Sequence, residues 1–197
     1  DPQVEVVYNP LSNAQHGPWN LRVIEAGKHV FSEKPFAANA DEARRVRDAA
    51  TAAGVHVVEA FHYRYHPLIE RMIQLATNGE IGDLQFVEAR MLMPPPGAGD
   101  LRWDAAVAGG GLMDVGCYAV HGLRTIAAAL GGEPEIVRAI GGELPQCPGV
   151  DAWLAELFDY DHLDETCEAL AAAAAPDPAL TARHDEIRRR IAELDAE

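Results

Sequence analysis

Apolar residues along the chain fall into short β-branched runs that alternate with longer stretches of helical spacing. Val4-Glu-Val-Val-Tyr8 reads as a buried strand that stops at Asn9-Pro10. Trp19, Val23, Ile24 and Ala26 then recur at the helical period, and Gly27 fits the stop. His29 to Phe31 reads as a second strand, which makes a βαβ unit with parallel strands and a right-handed crossover. Residues 41 to 53 (DEARRVRDAATAA) predict an amphipathic helix entered through Asn39 and stopped by Gly54, and 55–60 a third strand. This alternation predicts an α/β sheet covered on both faces, here half of a doubly wound domain.

After His66-Pro67 the character changes. The pattern predicts a helix over 68–78, a turn at Gly79 to Gly82, and a strand of a separate sheet over 84–93 (LQFVEARMLM). Pro94 to Gly99 reads as a loop, since prolines remove donors and glycines loosen the backbone. Gly109-Gly110-Gly111 opens a helix that carries Asp114, Tyr118 and His121 and runs to about Leu130, and strands are expected over 135–140 and 150–161. From about Leu163 the chain becomes Ala/Glu/Arg-rich and helical by propensity, broken by Pro176-Asp177-Pro178. The expected organisation is a nucleotide-binding half over residues 1–62, a catalytic α/β unit over 63–161, and a helical acidic tail over 162–197.

Charge and composition narrow the partners. The 197 residues are 48% hydrophobic, enough for a packed core, and carry a formal net charge of -15. That excess repels phosphate backbones and anionic membranes, and the one basic cluster, Arg188 to Arg190, sits among acids, so neither nucleic acid nor membrane is expected. No run of ~18 apolar residues occurs. Cys117, Cys147 and Cys167 are too few and too scattered for a disulfide framework or a zinc site, which reads as reduced thiols in the cytoplasm. His62 and His66 straddle a strand end and Pro67 rather than sharing a helical face, so no metal is expected.

In open α/β sheets ligands bind beyond the carboxyl ends of the strands. Two loops leave strands at that edge, Asn9-Pro10-Leu11-Ser12-Asn13 and Ser32-Glu33-Lys34-Pro35. A partly desolvated lysine there can lower the pKa of a nearby hydroxyl or stabilise a developing alkoxide, although the spacing fits a solvated surface lysine equally well. Asp114 and Tyr118 lie four apart, on one helical face near a glycine-rich N-terminus. Tyr118 needs a nearby cation to act as an acid or base near neutrality, which Lys34 could supply, while a packed aromatic and a capping aspartate are the plain alternative. His16 could cap the first helix or reach the crevice.

SEKPFAANADEA, with Lys34, resembles the EKP motif of the glucose-fructose oxidoreductase and inositol dehydrogenase (Gfo/Idh/MocA) family of NAD(P)-dependent oxidoreductases. Asn9 to His16 is similar to that family's cofactor loop, Glu59 to Pro67 to the crossing between its domains, and Gly109 to Tyr118 to its catalytic helix. The resemblance covers residues 1 to 161. It implies a partial Rossmann domain, a doubly wound parallel sheet, followed by an incomplete α/β substrate domain with an open sheet, then a helical C-terminal tail. It implies hydride transfer between NADP (or NAD) and a sugar, polyol or trans-diol carbon, with Tyr118 as general acid/base, Lys34 polarising the hydroxyl and Asp114 orienting it. The cofactor contacts it implies are Asn9, Pro10, Leu11, Asn13, His16, Glu33, Lys34, Arg102 and Trp103. Tyr118 stands where many members carry histidine, which is similar to dimeric dihydrodiol dehydrogenases, xylose dehydrogenases and glucose-fructose oxidoreductase. No GxGxxG turn occurs here, so the first half of the Rossmann domain is expected to be missing, and beyond Asp161 helix replaces further strands. A homodimer through the open sheet is a further expectation, and a non-catalytic remnant or interaction module of the same family is the alternative.

Overall fold

The computed structural model describes residues 1–84 and 87–159; the expected helical tail lies outside them. The first unit is built as β1 (Val6–Asn9), α1 (Asn13–Glu25), β2 (His29–Ser32), α2 (Ala40–Ala53) and β3 (Val57–Glu59). The strands form a parallel sheet in the order β1-β2-β3, with Asn9 opposite Ser32 and Ser32 opposite Glu59. All three chain segments therefore emerge at the same edge.

Ile24 of α1, Val46 and Ala50 of α2 and Val30 of β2 form the buried core, with Leu21, Phe36 and Val57 packed against it. Both helices thus cover one face. The opposite face exposes Val6, Tyr8, Phe31 and Val58, so the expectation of cover on both faces is corrected. The reason is topological: two crossovers of one hand, progressing in one direction across the sheet, put both helices on the same side.

Helix α2 is entered through Asn39, whose side chain accepts from Glu42 N at 2.9 Å, while Glu42 Oε2 accepts from Ala38 N at 2.7 Å. This reciprocal cap also closes the contact with α1, because Gly17 lies against the Glu42 side chain and a Cβ there would collide with it. Gly54 ends the helix in the left-handed region at φ 65°. Asn39→Ala should cost about 1 kcal/mol. In a melting experiment that is a fall of roughly 2–4 °C, and an unchanged midpoint would show that the cap contributes nothing.

The second unit begins at a 3-10 turn, His62–Tyr65, and α3 (Pro67–Thr77). His66 accepts from Leu68 N at 3.1 Å and so caps α3, which accounts for its place before Pro67. A π-helical turn, Leu112–Gly116, runs directly into α4 (Cys117–Leu130), and β4 (Glu135–Glu143) pairs antiparallel with β5 (Asp151–Asp159). The strand expected over 84–93 is not formed at Leu84 or over 87–93, which are irregular. Alternation supplies a strand with faces but not with a ladder partner, and here Val87, Met91 and Met93 wall a cavity against α3 and α4 instead. No helix among the described residues is long and apolar enough to cross a membrane.

Candidate active site

The two loops at the carboxyl edge of the parallel sheet are tied together from beneath. Asn9 donates from Nδ2 to Asn20 Oδ1 at 2.7 Å and to His16 O at 3.2 Å, and Asn20 donates to Ser32 Oγ at 3.0 Å. All four residues are buried. His16 neither caps α1 nor opens to the crevice: its ring nitrogens face the carbonyl oxygens of Pro35 at 2.6 Å and Leu11 at 2.7 Å, one on each loop. Pro10 and Leu11 remain exposed at the rim. Asn13 reaches across to the second unit, donating to Ala108 O at 2.8 Å.

Lys34 follows β2 on the second loop. Its ammonium donates to Asp114 O at 2.5 Å and Asp114 Oδ1 at 3.2 Å, and it stands 5.5 Å from the centre of the Tyr118 ring. Lys34, Asp114 and Tyr118 share one cavity of about 620 Å³, whose remaining wall is largely apolar, with Ile69, Met72 and Ile73 of α3 and Leu123 and Ile126 of α4. The helix that carries Asp114 and Tyr118 can pack this closely because Gly110 has φ 126°, where a side chain would also strike Asp151. Asp151 Oδ2 in turn accepts from Leu112 N at 2.6 Å and caps the π-helical turn. The widened turn replaces the regular α-helical geometry expected between Asp114 and Tyr118.

Burial, with Cys117, Glu33 and Asp114 acting in the same direction, holds the Tyr118 phenol above its ordinary value. Burial likewise pushes the Cys117 thiol up to about 11, against the pull of Lys34. Tyr118 is flanked by Phe61 edge-on at 5.4 Å and by Tyr63 at 5.9 Å between ring centres. His121 stacks on Phe61 at 3.9 Å, and its Nδ1 lies 2.6 Å from Tyr63 Oη. Burial lowers the pKa of His121, and Arg124 and Arg64 add to that. The chain can thus present a half-buried, protonated phenol whose ring lies near an ammonium in one largely apolar cavity, an arrangement suited to proton exchange with a bound hydroxyl or carbonyl.

The remaining residues named from the sequence fall nearby. Glu33 accepts from Tyr8 Oη at 2.8 Å. Arg102 grips Asp100 through Nε and Nη2, both at 2.9 Å, and Trp103 Nε1 donates to Pro96 O at 3.0 Å. No group of metal-ligating side chains occurs among the described residues. Sequence reasoning placed Ser32 in the loop after the second strand and His121 on the helix of Asp114 and Tyr118 but gave neither a role, and it gave none to Asn20, Phe61 or Tyr63. Only Asn20 left a readable trace, since His16, Asn20 and Ile24 recur every four residues along α1 and all are buried.

Comparison with known proteins bears on what such a site does. Residues 1–61 match the family model described as oxidoreductase family, NAD-binding Rossmann fold, and residues 69–181 match the GFO/IDH/MocA C-terminal domain. A D-xylose 1-dehydrogenase (NADP(+)) of Haloferax volcanii is 40% identical over 162 residues, which is 82% of this chain and 48% of that protein. A trans-1,2-dihydrobenzene-1,2-diol dehydrogenase of Mus musculus is 39% identical over 163 residues, covering 81% of this chain and 46% of its own length. Among solved structures, a 3-ketoreductase from Actinomadura kijaniata in complex with NADP and TDP-benzene aligns with a TM-score of 0.68 at 30% identity, over 81% of this chain and 48% of that one. The chain spans about half the length of the curated relatives it matches.

Proposed function

The chain belongs to the Gfo/Idh/MocA family of oxidoreductases, and from that premise we propose that it carries the catalytic half of an NAD(P)-dependent oxidoreductase acting on a sugar, polyol or trans-diol carbon. One observation carries the reading: the Lys34 ammonium stands 5.5 Å from the Tyr118 ring centre while it holds Asp114 at 3.2 Å, within a single cavity. Residues 1–62 then serve as the nucleotide-binding part and 63–161 as the catalytic part.

The chemistry of the donor set fits the nicotinamide end of the cofactor. Pro10 and Leu11 offer an exposed apolar rim, Glu33 and Lys34 lie on the facing loop, and the buried bonds among Asn9, His16, Asn20 and Ser32 fix both loops relative to each other. No glycine-rich phosphate turn occurs among the 197 residues. NAD(P), when bound, supplies or accepts the hydride. In the reducing direction Tyr118 Oη gives its proton to the substrate oxygen as negative charge develops there, and in the oxidising direction it takes that proton from the hydroxyl. Lys34 stabilises the charge that passes between the two oxygens, and Asp114 keeps the ammonium in place. The apolar side chains of α3 and α4 line the space beside the reacting carbon.

The test is direct. The protein is mixed with NADP and a pentose, a polyol or a cyclic trans-diol, and reduced nicotinamide is followed by absorbance. Formation of reduced cofactor that depends on both components is expected. Neither turnover nor quenching of Trp103 or Trp153 fluorescence by NADPH would sink the enzymatic reading and favour a non-catalytic module.

A further inference from the structure

Asp114 stands between two cations. Its Oδ1 lies 3.2 Å from Lys34 Nζ and its Oδ2 3.7 Å from Arg102 Nη1. Arg102 is itself gripped by Asp100 through two bonds of 2.9 Å, and its backbone carbonyl accepts from Gly110 N at 2.9 Å. The Arg102 backbone is therefore held by the same glycine segment that precedes Asp114, and its guanidinium by Asp100. Four charges of alternating sign, Asp100, Arg102, Asp114 and Lys34, end at the face of the Tyr118 ring.

A carboxylate that turned both oxygens to Lys34 would cancel much of the field that the phenolate of Tyr118 needs. We propose that Arg102 is a positioning residue: it draws one oxygen of Asp114 to itself and so leaves the charge of Lys34 available to Tyr118. This role differs from the cofactor contact that the family resemblance implies for Arg102, and it rests on the acid/base reading of Tyr118. The titratable and charged groups around Tyr118 are Glu33 and Lys34 after β2, His62 and Tyr63 from the 3-10 turn, Asp114, Cys117 and His121 from its own helix, and Glu88 and Arg90, an ion pair that lines the same cavity. Among the described residues, Arg102 reaches this set through Asp114, which in turn pairs with Lys34.

The test needs no turnover. Tyrosine labelled with carbon-13 at Cζ reports the pH at which Tyr118 ionises, with its signal assigned by the loss of that resonance in Tyr118→Phe. Arg102→Gln should raise the ionisation by about half a pH unit or more, because one positive charge leaves the cluster and Asp114 closes on Lys34. Arg102→Lys should restore part of the difference. Asp100→Asn should shift the ionisation the other way, and in an Asp114→Asn background the effect of Arg102→Gln should all but vanish, whereas a charge acting through space without Asp114 would keep its full shift. An unchanged or lower value in Arg102→Gln, or an upward shift in Asp100→Asn, overturns the inference. Where the wild-type protein turns over substrate, Arg102→Gln should lower kcat for hydroxyl oxidation about three-fold at neutral pH with KM nearly unchanged and leave carbonyl reduction unaffected there. A wild-type protein without turnover defeats the proposed reaction alone, and the titration still decides Arg102.

Discussion

Tyr118→Phe is expected to lower kcat about 10²–10⁴-fold, the range usual for removal of a general acid or base. The phenol is held above its ordinary value, first by burial and then by Cys117, Glu33 and Asp114, so it carries its proton throughout the neutral range. The sign of the pH dependence follows. Reduction of a carbonyl, which consumes that proton, should be flat through neutrality and fall only as pH climbs past the raised value. Oxidation of a hydroxyl, which needs the phenolate, should rise over the same interval. Both slopes should vanish in Tyr118→Phe while substrate KM changes little. Steady-state rates in the two directions across pH measure this, and a variant within about ten-fold of wild type would strip Tyr118 of the acid/base role.

The second large effect is on stability. His16→Leu should destabilise the protein by about 1–3 kcal/mol, because the one N–H of a neutral imidazole, shared between the carbonyls of Pro35 and Leu11, is lost and leaves a carbonyl of the pinned loops without its donor. That is a sizeable share of the total of about 5–15 kcal/mol typical of a folded domain. Denaturant unfolding gives the number. A loss below about 1 kcal/mol would mean that water or a backbone shift satisfies the freed carbonyl and that the ring is not the pin between the loops. The two predictions are linked, since a loosened loop after β2 releases Lys34, which is the cation nearest to the Tyr118 ring.

Much of this was legible in the chain itself. The strand-helix alternation of the first sixty residues gave the parallel sheet, because helical and strand periods differ and Asn39, Gly54 and Gly27 mark the boundaries. The loops that leave β1 and β2 could be located from topology alone, since parallel strands send their carboxyl ends to one edge. Where the reading stopped, the missing quantity was a distance. Asn20 and Ser32 are twelve residues apart, and nothing in their neighbours says that they hydrogen-bond. Tyr63 and His121 meet across 58 positions. The alternation of 84–93 promised a strand, yet Val87, Met91 and Met93 line the cavity instead, because a strand is stabilised by a partner that sequence does not show.

Local order, element type and the residues able to do proton chemistry were fixed by the amino-acid sequence, since propensity, capping and period act over a few neighbours. The approach of Lys34 to Asp114 and Tyr118 across eighty positions, the division of Asp114 between two cations, and the one-sided cover of the sheet were decided only in three dimensions. Coulomb energy and burial depend on separation in space, and it is folding that converts distant sequence positions into neighbours.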